Sequence, residues 1–371
     1  MILESHNKAS AQLTFVAMGS DFIAGSRRGW ACIPLIASVT IAAMGMVKVV
    51  GAHSRRTAVF WSSDVAPILQ KRCAACHTPG GFAPMPLDSY DDARKWAKEI
   101  RAEVLSRRMP PWSAARGLGD FSNDRSLSAV EVELIASWVD GAAPPGPPIG
   151  ESGTKTPAPV ADLTLKLPLH EAEGVITVRV PIGDQRDHWL TAWEFVPASR
   201  ARLERATITI VPGITLGTWT PTDRITRFGR DVAQHVPGSA MLDVELRYRK
   251  GDGPHDTGNA MPDRDQLALY FGVKPRRALQ HRSFGCGTHR LADRIVVLAV
   301  TPKASSAGSA IEIVAVRPDK TVEPLTVIRG FQPVFAPTYW LRSRVSLPRN
   351  TALRIQSDDA ACGADISFVH E

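Results

Sequence analysis

The spacing of apolar residues divides the chain into two halves with different periods. Over residues 61–141 the pattern is helical. Ser63 and Asp64 are placed to cap a helix through Val65, Ile68 and Leu69. Ser89 can cap a second, with Asp91 and Asp92 in its first turn and Trp96, Ile100 and Val104 four apart on one face. Ser128-Ala129-Val130-Glu131 reads as a capping box, Leu127 with Val132 as a hydrophobic staple, and Val132, Ile135 and Val139 as the buried face of a third helix. Beyond residue 160 the period becomes two. Ile176, Val178 and Val180 alternate with polar residues, as do Ile208 and Ile210. Runs such as AMLDVELRYR, QLALYF, RIVVLAV and AIEIVAV come after them, separated by Gly, Pro and Asp. Many short strands without intervening helices predict β-sandwiches.

Between the halves lies GAAPPGPPIGESGTKTPAPV, with six prolines and four glycines in residues 141–160. It can neither continue a helix nor pair in a sheet, and it reads as a semi-extended spacer. Before residue 60, Arg27 and Arg28 precede an apolar stretch from Trp30 to Val50 that only Lys48 interrupts, and Val50-Gly51-Ala52 offers small residues to a signal peptidase. The charge placement sends the rest of the chain out of the cytoplasm. Two outcomes stand open: a cleaved signal with a soluble periplasmic product, or an inner-membrane anchor formed by residues 30–50. The expected division is therefore 1–60 signal or anchor, 61–141 helical domain, 142–160 linker, 161–285 first sandwich and 286–371 second.

The net charge of +7 over 371 residues is diffuse, which excludes the dense basic stripe of a nucleic-acid binder. The chemistry is concentrated in Cys73-Ala74-Ala75-Cys76-His77. Two thiols three positions apart suit the two vinyl groups of one porphyrin, and the adjacent imidazole reaches the iron. A zinc half-site would need a second ligand pair nearby, and a redox dithiol a βαβ setting; neither is present. One covalent haem c is expected, with Cys73 and Cys76 as attachment points and His77 as axial ligand. Met85 and Met109 are the candidate second ligands, since no other His lies in residues 61–141. Met109 is favoured because Pro110 and Pro111 stiffen its loop. Outside this segment and the export segment only Cys286 and Cys362 remain, in GCG and ACG contexts; they read either as a disulfide in an oxidising compartment or as two free thiols.

The pieces DVAPILQKRCAACH, YDDARKWA, MPPW and WVDGAAP together resemble the c-type cytochrome domains of exported bacterial proteins. That resemblance implies a three-helix haem domain ligated by His77 and Met109. In the second half, Trp193-Glu194 with Pro197 and Arg200, LGTWTP, VPGSAMLDVELRY, Pro318-Asp319 and TYWLRSRVSLPRNTALRI are similar to copper type II, ascorbate-dependent monooxygenases of the peptidylglycine-hydroxylating class. This implies two jelly-roll sandwiches. At the positions where that family has copper ligands, the chain carries Glu204-Arg205, Arg247 before Tyr248, and Lys303 and Ser305, and no Met comes after Met261. Cations without a lone pair do not bind copper, so none is expected. The resulting fold class is an all-α cytochrome c domain leading into an all-β double jelly roll. The expected function is electron transfer by a single haem to an unidentified redox partner protein, with a non-catalytic β module. The alternative is a haem-fed copper monooxygenase.

Overall fold

The computed structural model describes residues 58–148, 159–170, 173–249 and 264–371. The export segment and most of the proline-rich linker lie outside the described residues. Among the described residues no helix is long and apolar enough to cross a membrane.

A π-helical turn, Trp61–Val65, opens the helical layer and continues into α1 (Ala66–Arg72); α2 (Tyr90–Lys95), α3 (Ala97–Leu105) and α4 (Ala129–Asp140) come next. Ser89 caps α2 through the Asp92 amide, and Ser128 forms a full capping box with Glu131. The first start differs from expectation: Asp64 accepts from the Phe60 amide at 2.9 Å, inside the π turn. The helical face through Trp96 is also interrupted. Trp96 ends α2 and begins α3 outside helical geometry, and its ring is left exposed. These helices pack a small core around Val65, Leu69, Ile135 and Trp138.

Ten strands then build the first sandwich: β1 (Leu163–Lys166), β2 (Val175–Pro181), β3 (His188–Val196), β4 (Leu203–Ile210), β5 (Ile214–Trp219), β6 (Thr226–Arg227), β7 (Val232–Val236), β8 (Met241–Tyr248), β9 (Gln266–Gly272) and β10 (Arg277–Ala278). Eight build the second: β11 (Gln280–Gly285), β12 (Gly287–Arg290), β13 (Ile295–Lys303), β14 (Ile311–Val316), β15 (Val322–Ile328), β16 (Tyr339–Leu347), β17 (Ala352–Ser357) and β18 (Gly363–His370). The strand orders are β1-β9-β3-β7 against β2-β8-β4-β5, and β11-β18-β13-β16 against β12-β17-β14-β15. The same order recurs in both, and it is that of two successive jelly rolls, each a double Greek key. The run RIVVLAV explains how they join. It does not alternate because β13 is buried on both faces: Val297 and Val300 enter the second core, while Val296 and Leu298 pack into the first.

The expected all-α cytochrome c domain, standing apart from an all-β module, is corrected by this architecture. Strands form the body of the protein, and the α-helices are only 7, 6, 9 and 12 residues long. The chain between α3 and α4 leaves the helical layer altogether. Ala114 bridges Ile328 and Phe121 bridges Leu341, so this segment covers the open edges of β15 and β16. Ala115 N donates to Val327 O at 2.7 Å and Arg342 N to Asp120 O at 2.8 Å. Trp112 stands edge-on to Tyr339 with centroids 4.9 Å apart, and Phe121 is buried in the second core. The segment between α3 and α4 thus ties the helical layer to the second jelly roll. Phe121→Ala should cost about 3–5 kcal/mol, and helical and β signals should fall in a single shared thermal transition. Separate melting of the two signals by circular dichroism would show an independent helical domain.

Candidate functional site

Helix α1 ends at Cys73, and a tight turn carries the chain through Cys76 and His77. Cys76 N and His77 N both donate to Cys73 O, at 3.1 and 3.0 Å, which sets the two thiols on one wall. Gly81 is required immediately afterwards: a Cβ there would collide with the Cys76 and Thr78 carbonyls. Ala83 N returns to Cys76 O at 3.0 Å and Leu87 N to His77 O at 2.9 Å, so the loop over residues 78–87 folds back on the motif. His77 Nδ1 bonds the Met85 carbonyl at 3.0 Å. A carbonyl only accepts, so this nitrogen carries the proton and Nε2 keeps its lone pair. Burial lowers the pKa of His77, against the opposing pull of that carbonyl, and favours the neutral ring.

Cys73 and Cys76 are both free thiols. Burial, reinforced by the neighbouring Cys76, pushes Cys73 up to about 12. Burial pushes Cys76 up to about 11, with Arg125 and Arg200 opposing. These thiols are held protonated in an apolar setting.

The motif, both candidate methionines and parts of both jelly rolls line one cavity of about 550 Å³. The helical layer supplies an apolar wall that includes Leu87, Ile100 and Val104; Pro110 and Pro111 stand beside Met109. The β half supplies Glu204, Thr222 and Arg249 from the first jelly roll and Val334 and Phe335 from the second. Phe82 is the point where the three parts meet. The Arg249 guanidinium lies 3.9 Å from its ring centroid and donates to its carbonyl at 2.9 Å. Phe335 meets the same ring edge-on at 5.7 Å. Sequence reasoning did not single out Phe82, Arg249 or Phe335, because nothing in a local pattern marks a contact 167 residues distant.

The remaining marked positions do not converge. Glu204 lines the cavity. Arg205 and Arg247 face each other across β4 and β8, and Arg205 donates to the Pro333 carbonyl. Lys303 pairs with Asp365 at 2.6 Å, and the Ser305 hydroxyl donates to Asp359 at 2.8 Å. Cys286 and Cys362 form a disulfide with Cα atoms 5.3 Å apart. Histidines of the β half are held by separate acids, as His188 by Asp184 at 2.8 Å, His235 by Asp187 at 3.0 Å and His170 by Asp265 at 3.1 Å. Among the described residues no three His, Cys, Asp or Glu side chains gather as a metal site.

No family model matches the chain, and no curated protein does either. Among solved structures it is similar to the major capsid protein P2 of bacteriophage PM2, at a TM-score of 0.27 and 14% identity over 56% of this chain and 98% of that one. It is also similar to A223, a turret protein of Sulfolobus turreted icosahedral virus, at a TM-score of 0.15 and 10% identity over 56% and 96%. Likeness at these scores carries no argument about what this chain does. The family assignment expected from the sequence, a c-type cytochrome fused to a degenerate copper monooxygenase module, is corrected: no family model matches, and the helices do not form a separate all-α cytochrome domain. So is the expected function, an electron-transfer cytochrome or a haem-fed copper monooxygenase. The body of the protein is a pair of jelly rolls closed by a thin helical layer, with no gathered metal-ligand cluster among the described residues.

Away from the cavity, one histidine of the second jelly roll titrates abnormally. His281 Nδ1 shares a hydrogen bond with Ser367 at 2.9 Å, and burial lowers its pKa to about 4 despite Asp365 nearby. The unfolded chain binds this proton near 6.5, so between pH 6.5 and 4 the unfolded state gains protons that the folded state refuses. Stability should fall by about 3 kcal/mol as pH drops through that window. Urea midpoints measured at pH 7 and about pH 4.5 should differ less in His281→Gln than in the parent chain. An equal difference would exclude His281 as the cause.

Proposed function

We propose that the cavity beneath Cys73, Cys76 and His77 holds one haem, attached through both thiols, and that the protein works as a covalent haem-binding protein. The carrying observation is that two free thiols and an imidazole with a committed Nδ1 share one wall of an apolar cavity of about 550 Å³. That volume lies in the range of about 300–1,000 Å³ typical of enclosed ligand sites. The donor set fits the group. The thiols would form the thioethers, and the neutral imidazole would offer Nε2 to iron. Met85 is tied to His77 through its own carbonyl, whereas Met109 sits on a separate loop, and this supports Met109 as the second axial ligand. A bound haem would supply an iron centre whose reactivity depends on that second ligand. The chain's own contribution is to orient the imidazole, keep the thiols in an apolar setting and close the cavity with the β half. The reading includes export through residues 1–60, to a soluble or membrane-held periplasmic product. The Cys286–Cys362 disulfide supports an oxidising compartment.

The test is to export the full chain in a bacterial host that matures CxxCH motifs. Intact mass and haem staining after denaturation should show one haem per chain in the parent. The Cys73→Ala, Cys76→Ala double variant should show none. An unmodified mass for the exported parent chain, or staining that survives in the double variant, would refute covalent attachment.

A further inference from the structure

A second cavity, of about 220 Å³, opens at the seam where the segment 122–125 meets both jelly rolls. Its floor is apolar: Trp193, Leu216 and Ile225 from the first jelly roll and Trp340 from the second. Gly217 packs directly on the Trp193 ring, where a Cβ would come within 2.8 Å of it. The Trp193 side chain is fully buried, and its indole N–H has no acceptor among the described residues. The rim is cationic. Arg125, Arg224 and Arg227 line it, and neither Arg224 nor Arg227 forms an ion pair with an acid among the described residues. The acid on this wall, Asp223, is taken up by Arg125 and pairs with neither Arg224 nor Arg227. Its carboxylate already accepts from the Thr220 amide at 2.8 Å and hydroxyl at 2.7 Å, and it lies 3.6 Å from Arg125. Burial also raises its pKa, which disfavours its charged form. Arg125 lines the larger cavity as well, so an occupant here would sit beside the wall of the first site.

We propose that this seam binds a small organic carboxylate with a flat apolar body. An oxoanion without such a body would leave the partly exposed Ile225 and Trp340 side chains uncovered, and a neutral ring would leave the guanidinium groups unmatched. The volume of about 220 Å³ falls below the roughly 300–1,000 Å³ of pockets for drug-sized ligands, which restricts the occupant to a small molecule such as one ring bearing a carboxylate. Nothing in this pocket requires a haem, so the inference stands or falls by itself.

The probe is benzoate, with benzamide as its neutral counterpart and inorganic phosphate as the anion lacking an apolar body. Titrations would use the full chain and be monitored by calorimetry and by the tryptophan indole N–H resonances. Benzoate should bind saturably and shift the Trp193 and Trp340 signals. Benzamide and phosphate should each bind at least tenfold more weakly. The double variant Arg224→Glu, Arg227→Glu changes exposed side chains only, and should weaken benzoate at least tenfold with an unchanged circular dichroism spectrum. Equal affinity for benzamide, equal affinity for phosphate, or full benzoate affinity in the folded double variant would each overturn the proposal.

Discussion

The Phe82 ring, held between the Arg249 guanidinium and the Phe335 ring, is the contact on which the cavity depends. A cation over an aromatic face is worth about 0.5–2 kcal/mol, more when water is excluded. Here it is reinforced by a hydrogen bond from the same guanidinium to the Phe82 carbonyl. The loop over residues 78–87 has no regular helix or strand of its own. It acquires a fixed shape from two sources: its return bonds to Cys76 and His77, and this clamp from the β half. Because His77 takes its orientation from the Met85 carbonyl in the same loop, whatever holds Phe82 also steadies the imidazole.

The segment between α3 and α4 makes the second connection, and it does so by solving a problem of sheets. A sandwich leaves its outer strands with unpaired N–H and C=O groups. In the second jelly roll β15 and β16 are such strands, and residues 113–122 bond to both. Trp112 drives its ring against Tyr339 in the core beneath. Met109, three residues earlier, is therefore carried by a loop whose far end is anchored in β structure. The prolines after Met109 restrict the loop, but the anchor that positions it is the tryptophan.

Much of this was legible in local pattern, and the failures have a common cause. The caps at Ser89 and Ser128 and the alternation in β2 and β4 were readable because each depends on neighbours within a few residues. RIVVLAV was readable as a strand, while its double burial depends on a second sandwich that no local window contains. The all-α domain was misjudged because helical periodicity reports which face is buried and does not report what covers it. The MPPW stretch looked like part of the helical unit, and its tryptophan packs, partly buried, against the core of the second jelly roll. In the site, the two thiols and the imidazole were legible from their spacing. The β wall was not, since Glu204, Arg249 and Phe335 come from three distant stretches that only the fold unites.

Arg205 shows how a misleading local reading conceals a structural role. By resemblance it stands where a copper ligand would, and its charge there argues only for loss. In the folded chain its guanidinium is buried opposite Arg247, an arrangement that burial and like charge both disfavour. The guanidinium is matched only in part, since its Nε has no hydrogen-bond partner among the described residues. Arg205 donates to the Pro333 carbonyl, and Pro333 begins the short 3₁₀ turn that ends at Phe335. Phe335 in turn meets Phe82, and Phe82 closes the loop that orients His77. A position that reads as the remnant of a metal site is thus the first link in a chain of contacts reaching the imidazole. The retained positive charge serves to join one jelly roll to the other at the roof of the cavity.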